Sequence, residues 1–243
     1  MNSIDMVIAR YNENLDWVFQ MPSEINYQIY NKGDYLEMDN DKLPFLSLHQ
    51  GVRNSGREGG TYLSYLIDQY DSIPDIVIFT QAKPQDHSPN FSNLVYKIVN
   101  NSFEGNFMPL SMWYTHNMPP RQITKPDQNL YYIETANRFT LAPIYHWDHG
   151  IGDAYHKYLN SNRDCKMGDD VVHHFCSMMK IPDHDYGTMT FNFSYSGIFA
   201  VKKEAILKYS RSFYLDCFAM INKEYCYGYF FERIWMMMFK EVE

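Results

Sequence analysis

Apolar residues along this chain fall into short blocks set between polar loops, and over the first eighty residues two kinds of block alternate. Asp5-Met6-Val7-Ile8-Ala9 is a short apolar run that ends in the polar cluster Arg10-Tyr11-Asn12-Glu13, the pattern of a buried strand feeding a loop. A helix containing Leu15, Trp17, Val18 and Phe19 is expected next, then a second strand over Asn26–Tyr30 stopped by Asn31-Lys32-Gly33. A polar stretch runs to about Arg53. Asn54 to Gly60 then leads into Thr61–Tyr70, where Tyr62, Leu63, Leu66, Ile67 and Tyr70 share one face of an amphipathic helix. Asp71-Ser72-Ile73-Pro74 breaks it, and Asp75–Thr80 is a continuous apolar run suited to a strand covered on both faces. This alternation predicts an α/β fold of Rossmann-like type: a mostly parallel central sheet with helices on both faces.

From Gln81 to about Pro143 the periodicity fades, and prolines and aromatics point to long loops with short helices. Tyr155–Leu159 and Val171–Met179 read as helix segments. Thr188–Val201 alternates as one strand, Phe191, Phe193 and Tyr195 on one face, with a bulge at Ser196-Gly197. Lys203–Met220 and the Met-rich Tyr229–Phe239 read as helices. No repeat or linker divides the chain, so residues 1–243 are expected to be one domain, with a ligand-binding half over 1–100 and a second half over 101–243.

Composition narrows the function classes. The chain has 243 residues, 45% of them hydrophobic and 17% aromatic, which is ample for a full core. Its formal charge of −8 argues against nucleic acid as a partner, because phosphate neutralisation needs clustered Lys and Arg. One or two arginines and backbone N–H groups still suffice for a nucleotide. The four cysteines, Cys165, Cys176, Cys217 and Cys226, lack zinc-ligand spacing and are expected to be reduced core thiols. No segment approaches the ~18 apolar residues of a transmembrane helix, and a cytoplasmic location is expected.

Four constellations could carry chemistry. Arg10, Asn12 and Glu13 follow the first strand, where open parallel sheets bind ligands; a solvated turn capped by Asn12 would satisfy the same letters. Asn54-x-Gly56-Arg57-Glu58-Gly59-Gly60-Thr61 lets backbone approach a ligand and puts Arg57 near a helix start, where an anion is favoured. It is neither a Walker loop nor a dinucleotide fingerprint. Gln81 ends the Asp75–Thr80 strand and His87 follows, where many nucleotide-sugar transferases carry a metal-binding Asp-x-Asp. A neutral Gln cannot replace that carboxylate; His87 is a candidate to stabilise a leaving diphosphate. Last, Ser196, Gly197 and Arg233 could line an acceptor pocket beside Glu232, a candidate general base, with a buried Glu232–Arg233 ion pair as the structural alternative. Asp183-His184-Asp185, His173-His174 and His146-Trp147-Asp148-His149 lack helical zinc spacing and are weaker candidates.

Several of these motifs recur in a fixed order: Arg10-Tyr11-Asn12-Glu13, Tyr30-Asn31-Lys32-Gly33, Asn54-x-Gly56-Arg57-Glu58-x-x-Thr61-Tyr62-Leu63, Ile78-Phe79-x-Gln81, Gly197-x-Phe199-x-Val201 and Glu232-Arg233-x-Trp235. The chain thereby resembles an uncharacterised domain family of fungal, algal and large-virus genomes, with a layout similar to GT-A glycosyltransferases. The resemblance implies a nucleotide-binding first half and an acceptor-binding second half. It also implies sugar transfer from a nucleotide sugar to a glycan or other hydroxyl acceptor, and Mn²⁺ or Mg²⁺ accompanying the donor. A viral source would place the protein in the host cytoplasm or the virion. Arg10, Asn12, Glu13, Asn54, Gly56, Arg57 and Gln81 would line the donor site, Ser196, Gly197 and Arg233 the acceptor site, with Glu232 and His87 catalytic. The missing Asp-x-Asp departs from the GT-A pattern and favours a noncatalytic glycan- or nucleotide-binding module as the alternative. A hydrolase or phosphotransferase built from His87 and Asp183–Asp185 is a further rival.

Overall fold

A computed structural model describes residues 2–39, 41–101, 103, 105–111, 177, 194–223 and 227–239, and the backbone of four short strands between 123 and 192. The strands are β1 (Ile4–Arg10), β2 (Asn26–Asn31), β3 (Leu46–His49), β4 (Ile76–Gln81), β5 (Phe107–Pro109), β6 (Ile123–Thr124), β7 (Tyr131–Tyr132), β8 (Arg138–Thr140), β9 (Thr190–Asn192) and β10 (Phe199–Lys202). The helices are α1 (Arg57–Asp68), α2 (Phe91–Val99), α3 (Lys203–Ile206), α4 (Arg211–Lys223) and α5 (Tyr227–Phe239).

Six strands form the central sheet in the order β3-β2-β1-β4-β10-β5; β6 pairs with β7 and β8 with β9 separately. The sheet is mixed. β3, β2, β1 and β4 run parallel, whereas β10 is antiparallel to both β4 and β5. A mostly parallel sheet therefore describes its first four strands and not the whole.

Strand alternation divides the apolar side chains between two layers. Val7, Ala9, Val77, Phe79, Phe199 and Val201 face α1, α4 and α5. Met6, Ile8, Ile76, Ile78 and Ala200 face α2 and a short 3-10 turn at Asp16–Gln20. Both layers are dry: every residue of β1 is buried, and so are all of β4 except Gln81. At about 1.5–3 kcal/mol for each fully buried large apolar side chain, this burial dominates the fold's stability. An aromatic chain runs through the first layer, Tyr62 to Phe79 at 4.8 Å, Phe79 to Phe199 at 5.1 Å and Phe199 to Trp235 at 5.8 Å between ring centres. These contacts fasten α1 and α5 to the sheet centre.

Several expectations change. The first expected helix is only the 3-10 turn Asp16–Gln20, because the segment joins two adjacent parallel strands by a short path. The polar stretch before Arg53 contains β3, a half-buried edge strand too short to show a period. α1 begins at Arg57, inside the glycine motif, and buries Gly59 and Gly60. Thr188–Val201 is not one strand: β9 and β10 lie in different sheets, separated by a turn at Tyr195–Gly197 in which Ser196 and Gly197 have φ of +56° and +61°. Two consecutive left-handed residues end a strand. The Lys203 segment is two helices, α3 and α4. Among the cysteines, Cys217 is buried and free, its thiol pushed up to about 12 by burial; the other three lie outside the described residues. So do the 146–149, 173–174 and 183–185 clusters, the 155–159 helix segment and the side chains of Phe191, Phe193 and Tyr195. No helix among the described residues is long and apolar enough to cross a membrane.

Candidate functional site

Strand order reverses between β1 and β4: β2 and β3 extend the sheet on one side of β1, and the chain then returns to place β4 on the other. Loops leaving the carboxyl ends of strands on either side of such a switch point diverge, and a crevice opens there. A cleft of about 340 Å³ lies at this place, lined by Ala9, Arg10, Tyr11, Glu13, Lys32, Asn54, Arg57, Glu58, Gln81, Lys83, Asp86 and His87. Its size suits a small polar ligand.

One wall is the loop after β1, and it is tied to the loop after β2. Arg10 is buried and donates from Nε to the Glu13 carbonyl at 2.9 Å. Its Nη1 reaches Asn31 Oδ1 at 2.6 Å and the carbonyls of Tyr11 and Asp34 at 3.2 and 3.3 Å. Asn31, wholly buried, donates onward to the Asp34 carbonyl and Gln50 Oε1, each at 2.7 Å. Glu13 Oε2 accepts the backbone N–H groups of Tyr11 and Asn12 at 2.8 and 3.1 Å, and Asn12 Oδ1 accepts that of Asp34 at 2.8 Å. Gly33 is obligatory: a Cβ there would sit 1.7 Å from the Tyr11 carbonyl oxygen. The backbone donors that could have cradled an external anion after β1 already hold a carboxylate.

The opposite wall is the start of α1. Gly56 and Arg57 have φ of +66° and +53°, and no side chain caps the helix. The Arg57 guanidinium lies 4.4 Å from the Tyr229 ring centre and 3.4 Å from Glu58 Oε2. α5 approaches closely because Gly228 has no Cβ; one would lie 3.1 Å from the Gly56 carbonyl oxygen. The Lys32 ammonium donates to the Arg57 carbonyl. On the floor, Gln81 Nε2 donates to the Lys83 carbonyl at 3.1 Å, and Lys83 pairs with Asp86 at 3.0 Å. Burial holds His87 below its ordinary value of 6.5; Asp86, Glu232 and Glu58 pull it up and Arg57 pushes it down. Unliganded, His87 is thus mostly neutral at neutral pH, and only a bound anion could make it the cation expected of it.

Residues 6–101 match the model of a family described as Protein of unknown function (DUF3431). No curated protein and no solved structure matches the chain. The matched span contains β1 to β4 and every residue that lines the cleft. It stops short of the Gly197 and Glu232 motifs, on which it says nothing.

Six of the expected donor-side residues meet at the cleft: Arg10, Glu13, Asn54, Arg57, Gln81 and His87. Asn12 and Gly56 support the walls without lining them. Ser196, Gly197, Glu232 and Arg233 form a separate corner where α5 meets the turn before β10. There Glu232 Oε1 accepts the Ser196 N–H at 3.0 Å and pairs with Arg233 Nη1 at 2.8 Å, with both side chains largely buried. Because the Glu232 charge acts on His87, this corner adjoins the cleft. Lys32, Asn31 and Tyr229 were not singled out as site residues. Asn31 and Lys32 stand in a strand-stop pattern, and Tyr229 sits in a helix about 170 residues from the arginine it flanks, so only the last lacked any local signal.

No group of three His, Cys, Asp or Glu that could hold a metal occurs among the described residues. The cleft carboxylates instead face backbone N–H groups, Arg57 or Lys83. The described residues do not fit a divalent cation, and no step is routed through one.

Proposed function

We propose that the chain is a glycosyltransferase-like protein whose cleft takes a nucleotide sugar, in a GT-A-like arrangement. The observation that carries this is the convergence of Arg10, Glu13, Asn54, Arg57, Gln81 and His87 on the switch point between β1 and β4. A first-half strand order of 3-2-1-4 with the crevice at the carboxyl ends is how dinucleotide-type sites are built. In this reading the loop after β1 and Asn54 face the nucleoside, Arg57 and His87 face the diphosphate, and Glu232 stands toward a hydroxyl acceptor. A thermal-shift screen with UDP-, GDP-, CMP- and dTDP-sugars, each with and without Mn²⁺, tests it, since a ligand of the folded state raises the melting temperature. The expected result is a shift with one nucleotide class that Arg57→Ala abolishes. No shift at millimolar concentrations with any of them would sink the donor-site assignment.

One observation favours a noncatalytic glycan- or nucleotide-binding module on the same scaffold. Glu232 Oε1 is already engaged by the Ser196 N–H and Arg233, as a structural carboxylate would be. Glu232→Gln separates the two. A general base predicts a loss of turnover of about 100-fold or more with donor affinity unchanged. A binding module predicts no sugar transfer by the unaltered protein and unchanged binding by the variant.

A further inference from the structure

We infer that Lys32 is a phosphoryl-binding residue of the cleft, its ammonium completed by the oxygens of a phosphate or diphosphate group. Only the identification of that group as part of a nucleotide sugar rests on the proposed function; the anion site itself does not.

The cleft's charged groups can be accounted for one by one. Arg10 is consumed by loop carbonyls and Asn31. Arg57 faces Glu58 and the Tyr229 ring, and Lys83 pairs with Asp86. Glu13 is held by two backbone N–H groups. Lys32 differs from all of these. Its ammonium makes a single hydrogen bond, to the Arg57 carbonyl, and no ion pair with any described residue. An ammonium has three N–H donors, so two are left over.

Burial disfavours the charge on Lys32, an effect that Glu58 and Glu13 offset from beyond ion-pair distance and Arg57 reinforces. A largely buried, under-bonded cation is costly unless something completes it. Its position says what. Lys32 directly follows the carboxyl end of β2, and its ammonium lies against the first residue of α1, a helix start that no side chain caps. Helix N-termini favour negative charge, and here a cation with spare donors flanks one within a cleft. A phosphoryl group supplies both the negative charge and several acceptor oxygens.

Inorganic pyrophosphate is the direct probe, titrated calorimetrically into the full chain beside the nucleotide sugars. Pyrophosphate should bind, and Lys32→Met should weaken it by about tenfold or more, as loss of a charge-assisted hydrogen bond implies, while Lys32→Arg retains most of the affinity. Equal binding by Lys32→Met and the unaltered protein would overturn the inference, as would nucleotide-sugar binding without any response to pyrophosphate. Pyrophosphate binding that needs Lys32, with no nucleotide sugar bound, would uphold the anion site and sink the donor reading alone. Should Lys32→Met fail to fold, acetylation of the unaltered protein mapped by mass spectrometry decides. Pyrophosphate should protect Lys32 and leave exposed Lys42 reactive; undiminished labelling of Lys32 would overturn the inference.

Discussion

The two walls of the cleft are built from similar letters and behave differently. The loop after β1 looks chemically rich in Arg10, Asn12 and Glu13, yet its polar groups are largely spent on one another and on the loop after β2. The start of α1 has fewer polar groups, but they are held open: a strained turn, an uncapped helix and a lysine with donors to spare. A saturated polar network confers rigidity, whereas an unsaturated one leaves binding capacity. Polar clusters near a strand end therefore have to be judged by where their hydrogen bonds go, not by how many polar residues they contain.

Substitutions can break that contrast or sharpen it. The largest effect is expected from Gly33→Ala, whose Cβ would collide with backbone at Tyr11 that cannot move without opening the loop network. A loss of about 3 kcal/mol or more by denaturant unfolding is expected, and a loss below about 1 kcal/mol would show that the two loops are not locked together. Arg10→Lys comes next. It keeps the charge but cannot span Glu13, Asn31 and Asp34 at once, so about 2–3 kcal/mol of stability should go. Arg57→Ala reverses the pattern. Only a partly exposed ion pair and one cation–π contact are lost, about 1 kcal/mol, while ligand affinity falls about tenfold or more. If Arg10→Lys instead weakened binding without touching stability, the assignment of the walls would be inverted.

The smallest effect is on pH dependence. Burial holds both His87 and His49 below 6.5, so the unfolded chain binds more protons than the folded one just below that pH. The stability contributed by these neutral imidazoles is fully present above about 6.5 and is lost as pH falls through their lowered folded values. Asp5, raised by burial, works in the opposite sense at more acidic pH. Calorimetric melting should therefore fall modestly from about pH 7.5 to about pH 5.5, and replacing both histidines with Asn should flatten the slope. A bound anion should also lift the His87 value and shrink the effect.

Much of the first half was legible because its signals are local. Asp75–Thr80 and Asp5–Ala9 are strands, shifted by a residue, since a continuous apolar run in a parallel sheet needs no context to be recognised. The Tyr62, Leu63 and Leu66 stripe is buried as its spacing demands. Glycine at 56, 59 and 60 marked a close approach, although what approaches is α4 and α5, with Ile221 within 3 Å of a Cβ at Gly56 or Gly59, rather than a ligand alone. β3 escaped notice because four half-buried edge residues carry no period. The break between β9 and β10 was hidden because alternation continues through a turn that moves the chain to another sheet.

What the sequence alone determined is the α/β class, the candidate residues after each strand and the absence of nucleic-acid character, all of which follow from composition and spacing along the chain. Only the tertiary structure decided that β10 runs against β4, that Arg10 serves the loops, that Glu232 and Ser196 make a corner of their own, and that Lys32 stands beside Arg57. Those facts depend on hydrogen bonds and charges between residues 25 or more positions apart, such as Lys32 to the Arg57 carbonyl, and a periodicity along one segment carries no information about which distant partner will satisfy a donor.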